Sequence, residues 1–252
     1  MRDSLIMEIH IDGDFDQEFE DEKVESQEID LENFSNIDAK TYVANVTVQV
    51  GADFHISTHD INPERMKISV AEQTLFIREQ KPHYPHNHQK KIYICKAEYK
   101  MTITVPQTAV LNEVRINDFS GRLNLSGLNM QKLDVRANAG SLKLQDVTIQ
   151  NDTKIRLDAG NLDIYQCKMN SNANLAAGSV KIKGLQGKNH FQLAAGSLKT
   201  LDDRDDQTDY DLSTTLGSIY FHGSRMGKHF YKHEGSANQL TAISSVGSIK
   251  IQ

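Results

Sequence analysis

A glycine followed by an alternating apolar pair recurs seven times in the second half of the chain. The copies are Gly121-Arg-Leu-Asn-Leu125, Gly140-Ser-Leu-Lys-Leu144, Gly160-Asn-Leu-Asp-Ile164, Gly178-Ser-Val-Lys-Ile182, Gly196-Ser-Leu-Lys-Thr200, Gly217-Ser-Ile-Tyr-Phe221 and Gly247-Ser-Ile-Lys-Ile251. The glycines stand 19, 20, 18, 18, 21 and 30 residues apart, so five near-equal steps are followed by one that carries an insertion. A unit of this length cannot bury an apolar face alone. Repetition at a fixed period therefore specifies a stack of like units.

The parity around each glycine predicts the shape of one unit. Ile155, Leu157 and Ala159 precede Gly160 at odd offsets, whereas Leu162 and Ile164 follow it at even ones. The same holds for Ala173, Leu175 and Ala177 before Gly178, and for Phe191, Leu193 and Ala195 before Gly196. In one flat strand that shift would turn the second apolar set outward. Both sets stay inward if the chain turns a corner at Gly-Ser, a bend that glycine tolerates. The alanine before each glycine is then expected on the tight inner side of the corner. Each unit reads as strand, corner, strand, turn. Stacked at about 4.8 Å, such units form long parallel ladders, which is the logic of a β-solenoid. Leu144, Ile164, Ile182 and Phe221 are expected in one inward column.

The rest of the chain is also strand-rich. Tyr42, Ala44, Val46, Val48 and Val50 alternate up to Gly51, and Met101, Ile103 and Val105 alternate up to Pro106. Such period-two runs read as half-buried strands. Lys81–Lys91, with Pro82 and Pro85, reads as a loop. Residues 1–40 hold 14 acids and 3 bases, against a whole-chain balance of −6. They read as an acidic, partly disordered N-terminal arm that is either solvated or docked on the positive body. The expected organisation is thus an arm over 1–40, a strand-rich start over 41–110 and the repeats over 111–252. No run of 18 apolar residues and no apolar h-region at the N-terminus is present, so neither a membrane span nor a secretory signal is read, and the chain would be cytoplasmic if full-length. A mildly acidic chain gives no expectation of specific nucleic-acid binding.

The run Met101-Thr-Ile-Thr-Val-Pro106, then Val114-Arg-Ile116, Ser120-Gly121-Arg-Leu-Asn-Leu125, Leu133-Asp-Val-Arg136 and the serial Gly-Ser-Leu/Ile-Lys copies resembles the bacterial putative-adhesin domain family. The likeness spans roughly residues 34–252 and lies in the number, order and spacing of the motifs. It implies a β-solenoid without assigned catalytic residues, in proteins often tied to the cell envelope. The absence of a signal or anchor here departs from that picture, and the likeness is silent on the acidic arm.

Candidate chemistry is sparse. His83, His86 and His88 fall within six residues, with His55 and His59 as conceivable neighbours, and imidazole binds Zn, Ni or Cu. No carboxylate or thiolate spacing fixes a geometry, and a solvated loop competes with a metal site. His229 and His233 would share a face only on a helix, which Gly227 and Gly235 disfavour. Asp202–Asp209 lacks the central glycine and closing glutamate of an EF-hand. Cys95 and Cys167 read as reduced thiols without a nucleophile's partners. No cofactor is implied.

The outward residues three places after each glycine are Asn124, Lys143, Asp163, Lys181, Lys199, Tyr220 and Lys250. One acid cannot supply the carboxylate pair of a glycosidase. Lysine here either keeps an exposed sheet soluble or meets an anionic polymer. The reading is therefore an all-β, non-catalytic structural or binding module of adhesin type, associated with the envelope. A polysaccharide-active β-helix enzyme and a cytoplasmic self-assembling scaffold are the alternatives. The coil Gly247–Gln252 is expected at an open end of the stack. It would join two copies into a homodimer unless the 223–238 insertion covers it.

Overall fold

The computed structural model describes residues 25–80, 99–201 and 207–252. Among these residues the protein is all-β, with one short 3-10 turn at Pro63–Arg65 and no α-helix. The strands are β1 (Glu25–Asp30), β2 (Asn36–Thr41), β3 (Asn45–Gly51), β4 (His55–Ile61), β5 (Met66–Ala71), β6 (Thr74–Glu79), β7 (Lys100–Pro106) and β8 (Val110–Ser126). They continue as β9 (Asn129–Gln145), β10 (Thr148–Tyr165), β11 (Ser171–Lys183), β12 (Lys188–Thr200), β13 (Thr208–Phe221), β14 (Ser224–Arg225), β15 (His229–Lys232) and β16 (Asn238–Ile251). All belong to one mixed sheet whose main path runs β1-β4-β7-β3-β8-β9-β10-β11-β12-β16-β13-β14.

Strands β8 to β13 and β16 carry the glycine repeats and pair in parallel, glycine against glycine. Leu125, Leu144, Ile164 and Ile182 are successive partners in one buried column, which Thr200 continues. Ile251 and Phe221 pair at the far end. The corner glycines approach one another too closely for any side chain. A Cβ on Gly178 would lie 1.7 Å from the Gly160 carbonyl oxygen, and one on Gly196 would lie 1.9 Å from that of Gly178. Both glycines have φ of +144°, a region nearly closed to other residues. The stack extends into the N-terminal half. The first half of β8 pairs with β2 and the second with β3, so Tyr42–Ala44 forms a further corner beside Gly121. Without a glycine of its own, that corner is closed by Glu79, which accepts from the Tyr42 and Val43 amides.

Four expectations change. The arm does not extend to residue 40: β1 and β2 are strands of the sheet, and Phe34, Ile37 and Ala39 are buried. Acidic residues there occupy outward positions of strands whose alternate residues face the core. The alanines before the corner glycines are not inside it. Leu157, Leu175 and Leu193 are the last inward residues, and Ala159, Ala177 and Ala195 are exposed on the outer edge. The parity shift is made by two consecutive outward residues ahead of each glycine. A third inward stretch also exists beyond the turn. Leu128, Val147 and Cys167 are buried, as are Met130, Ile149 and Met169 two places on. Backbone bonds such as Thr148 N to Leu128 O (2.9 Å) and Gln186 N to Cys167 O (2.9 Å) carry the ladder around this side.

The fourth change concerns the end of the stack. β16 is not terminal but lies between β12 and β13, paired along its length with both. Its inward residues Leu240, Ala242, Ile249 and Ile251 are aliphatic, like those of the middle repeats. β13 supplies aromatic closure instead: Tyr210 and Phe221 sit 5.7 Å apart, and Phe230 of β15 lies 4.6 Å from Phe221. β15 pairs antiparallel with Tyr210–Ser213, so the 223–238 insertion does cover part of the end. The expected homodimer through the C-terminal coil therefore has no open edge on which to form.

Gly178→Ala is expected to destabilise by about 2–6 kcal/mol, because backbone strain and overpacking each cost about 1–3 kcal/mol. Gly223→Ala, at φ +77° with nothing within 4 Å of its Cβ, isolates the strain and should cost only about 1–2 kcal/mol. Ile164→Ala should cost about 2–5 kcal/mol. Chemical denaturation of the three variants checks this order.

Candidate functional site

The two outward faces that meet at the glycine corner differ in electrostatics. On the face before the glycine, Arg115, Asp134 and Lys154 are successive partners across β8, β9 and β10. Four bases on these three strands each have an acid on their own strand. Arg115 bonds Glu113 at 3.0 Å, Arg136 meets Asp134 at 3.4 Å, Lys154 meets Asp152 at 2.8 Å and Arg156 meets Asp158 at 3.6 Å. Asp152 holds the Lys154 ammonium above its usual range. This face neutralises itself.

The face after the glycine does not. Because β16 lies between β12 and β13, the row three places on reads Asn124, Lys143, Asp163, Lys181, Lys199, Lys250, Tyr220 in space. Lys181, Lys199 and Lys250 are thereby direct neighbours on three adjacent strands, about 4.8 Å apart. None of the three makes an ion pair among the described residues. Lys250 instead lies 5.7 Å from the Tyr220 ring centroid, and Lys143 lies 5.6 Å from that of Tyr165. Asp163 adjoins the row at one side, with Oδ1 buried and lacking a hydrogen-bond partner among the described residues. Two places nearer the corner runs a parallel row of Ser179, Ser197, Ser248 and Ser218. The sequence supplied the lysines, but not the strand exchange that makes three of them contiguous.

The other candidates are scattered. His83, His86 and His88 lie outside the described residues, as do Cys95 and Asp202–Asp206. His55 does not join them: it faces β1, bonding Glu28 at 2.6 Å and Asp30 at 2.9 Å. His59 bonds Ser26. His229 begins β15, and His233 meets Asp209 at 2.6 Å. Asp209 is buried and accepts the Glu234 and Ser236 amides, which fasten the insertion and hold its carboxyl below the usual range. Cys167 packs in the column of Leu128 and Val147, and burial pushes its thiol up to about 11. Among the described residues no group of three or more His, Cys, Asp or Glu is placed to hold a metal ion. The two best-formed hollows have room for about 10 and 20 Å³, the size of a water molecule. What the in-register strands offer is a ruled face. No helix among the described residues is long and apolar enough to cross a membrane.

The profile of the toastrack family, DUF4097, matches residues 34–251. A solved structure described as a putative lipid binding protein from Parabacteroides distasonis ATCC 8503 has a TM-score of 0.50 at 16% identity, covering 90% of this chain and 96% of that one. A putative adhesin from Bacteroides fragilis NCTC 9343 gives 0.49 at 15% identity, over 92% and 98%. A putative cell adhesion protein from Clostridium sporogenes ATCC 15579 gives 0.42 at 10%, over 91% and 99%. Likeness at such identities concerns the fold alone. Among curated proteins, none matches the chain.

The His55 bridge makes the docking of β1 depend on pH. Hydrogen bonds to Glu28 and Asp30 raise the His55 pKa, and His55 and Ser57 lower that of Glu28. The histidine contribution is complete below its ordinary value of 6.5 and is lost as pH rises through the raised value. The glutamate contribution is complete above its ordinary 4.5 and is lost as pH falls through the lowered value. Amide exchange in β1, corrected for intrinsic rates, should be slowest between these limits and faster on both sides. His55→Gln should abolish the alkaline limb and shrink the acid one to what Ser57 contributes.

Proposed function

Because the chain belongs to the toastrack DUF4097 family, we propose that it is a non-catalytic, adhesin-like binding module that works at the bacterial cell envelope on a β-solenoid frame. The observation that carries this reading is the in-register glycine ladder. It repeats each outward side chain from strand to strand, so the surface becomes a set of straight parallel rows. Such a surface suits an extended or repetitive partner, which gains affinity by meeting many equivalent weak contacts. A reaction site needs convergent groups in a sheltered cleft. The rows run side by side rather than converging, and acids of the face before the glycine are taken up by neighbouring bases.

The test is direct binding. Labelled protein should bind isolated bacterial envelopes saturably and release no sugar or peptide from them. Absence of saturable binding would sink the module. Glycan turnover abolished by changing one carboxylate would replace it with an enzyme.

A further inference from the structure

We propose that the row Lys181, Lys199 and Lys250 is the binding site of this module, and that its ligand is a linear phosphate-bearing polyanion lying along the stacking direction. The proposal rests on the binding-module reading above and names its ligand class. It starts from an imbalance within one molecule. On the face before the glycine even Arg136 and Arg156, which are direct partners, each have an acid beside them. On the face after it, three lysines are direct partners in succession and none makes an ion pair among the described residues, the one acid in register with them being Asp163 beside Lys181. Like charges directly opposite on neighbouring strands destabilise a sheet. A solubility role would be met equally by the mixed charges used on the other face. The unneutralised row is the arrangement that an external anion completes.

The geometry selects the form of that anion. Neither of the two water-sized hollows is lined by this row, so affinity comes from several contacts made at once. The contacts run in a straight line, one residue wide, at the strand spacing of about 4.8 Å. The neighbouring row is serine; Ser179 donates to Asn161 at 2.6 Å, and the hydroxyls of Ser197 and Ser248 can donate to phosphate oxygens. A chain of phosphates laid across the strands meets one ammonium per strand. A lipid bilayer, by contrast, calls for a broad basic surface with apolar side chains that insert. The large exposed apolar residues are elsewhere: Leu216 and Val246 on the corner, Ile243 before it, Tyr231 on β15 and Val110 at the start of β8. Tyr220 bounds the row at one side and Asp163 at the other, which fixes the basic segment at three strands.

The experiment compares three proteins: the wild type; the row variant Lys181→Gln/Lys199→Gln/Lys250→Gln; and a control with the same charge change on the other face, Arg136→Gln/Lys154→Gln/Arg156→Gln. Binding to long-chain inorganic polyphosphate is measured by titration over a range of salt. The row variant should lose at least tenfold in affinity, and its dependence of log Kd on log salt should flatten by about 2, at roughly 0.7 per lost phosphate contact. The control should lose less than threefold. The row variant should unfold at no lower temperature than the wild type, since the repulsion is removed with the charge. Polyphosphate should also displace the wild type from envelopes. Equal losses in the two variants would mean general charge attraction and would overturn the site. Binding to phosphatidylglycerol vesicles but not to polyphosphate would overturn the ligand. Envelope binding that survives in the row variant and resists polyphosphate would overturn the proposal and leave the module reading intact. No envelope binding by the wild type would remove the module reading itself.

Discussion

The structure depends on one steric condition: backbones at the corner approach until the carbonyl of one repeat occupies the space where a Cβ of the next would lie. Only a residue without a side chain fits that contact, and at Gly140, Gly160, Gly178, Gly196 and Gly247 it must also hold a positive φ. Glycine stacked on glycine then fixes the register, and the register fixes everything outside it. A slip of one residue would turn the core columns outward and place side chains in the carbonyl contact. The repeats therefore vary freely at exposed positions while the corner stays invariant from Gly140 to Gly247.

The same condition explains why the surface is ruled. Each outward side chain sits beside its counterpart in the next strand, so a preference in the repeat becomes a row. Where the repeat alternates in sign, the row neutralises itself, as with Arg115, Asp134 and Lys154. Where Gly-Ser-x-Lys recurs, charge accumulates instead. Both faces follow from one arithmetic, and the contrast between them is a property of composition rather than of shape.

Much of this was legible in the sequence. The seven glycines and the parity about them gave the corner, the parallel ladders and the column through Leu144, Ile164 and Ile182. What escaped had physical causes. Ala159, Ala177 and Ala195 are apolar yet too small to reveal by type which side of a bend they occupy. The inward stretch through Leu128, Val147 and Cys167 holds only two or three residues per repeat, too few for a period to register, though its constant distance from the glycine was a usable signal. The acids around β1 and β2 masked the buried Phe34 between them and Ile37, Ala39 and Thr41 within β2. The lysines of the candidate face were visible, but their contiguity was not, because nothing local to β16 states that it enters between two strands made before it.

That insertion of β16 separates the order of synthesis from the order of stacking. β12 and β13 both leave the ribosome first, yet they touch only through a strand made after them. For as long as residues 201–237 are being added, β12 presents a full parallel edge with no partner from its own chain. An unpaired edge of that kind recruits strands from neighbouring chains. The nascent protein thus holds that edge open for longer than a stack wound in sequence order, in which the next strand made is the next partner.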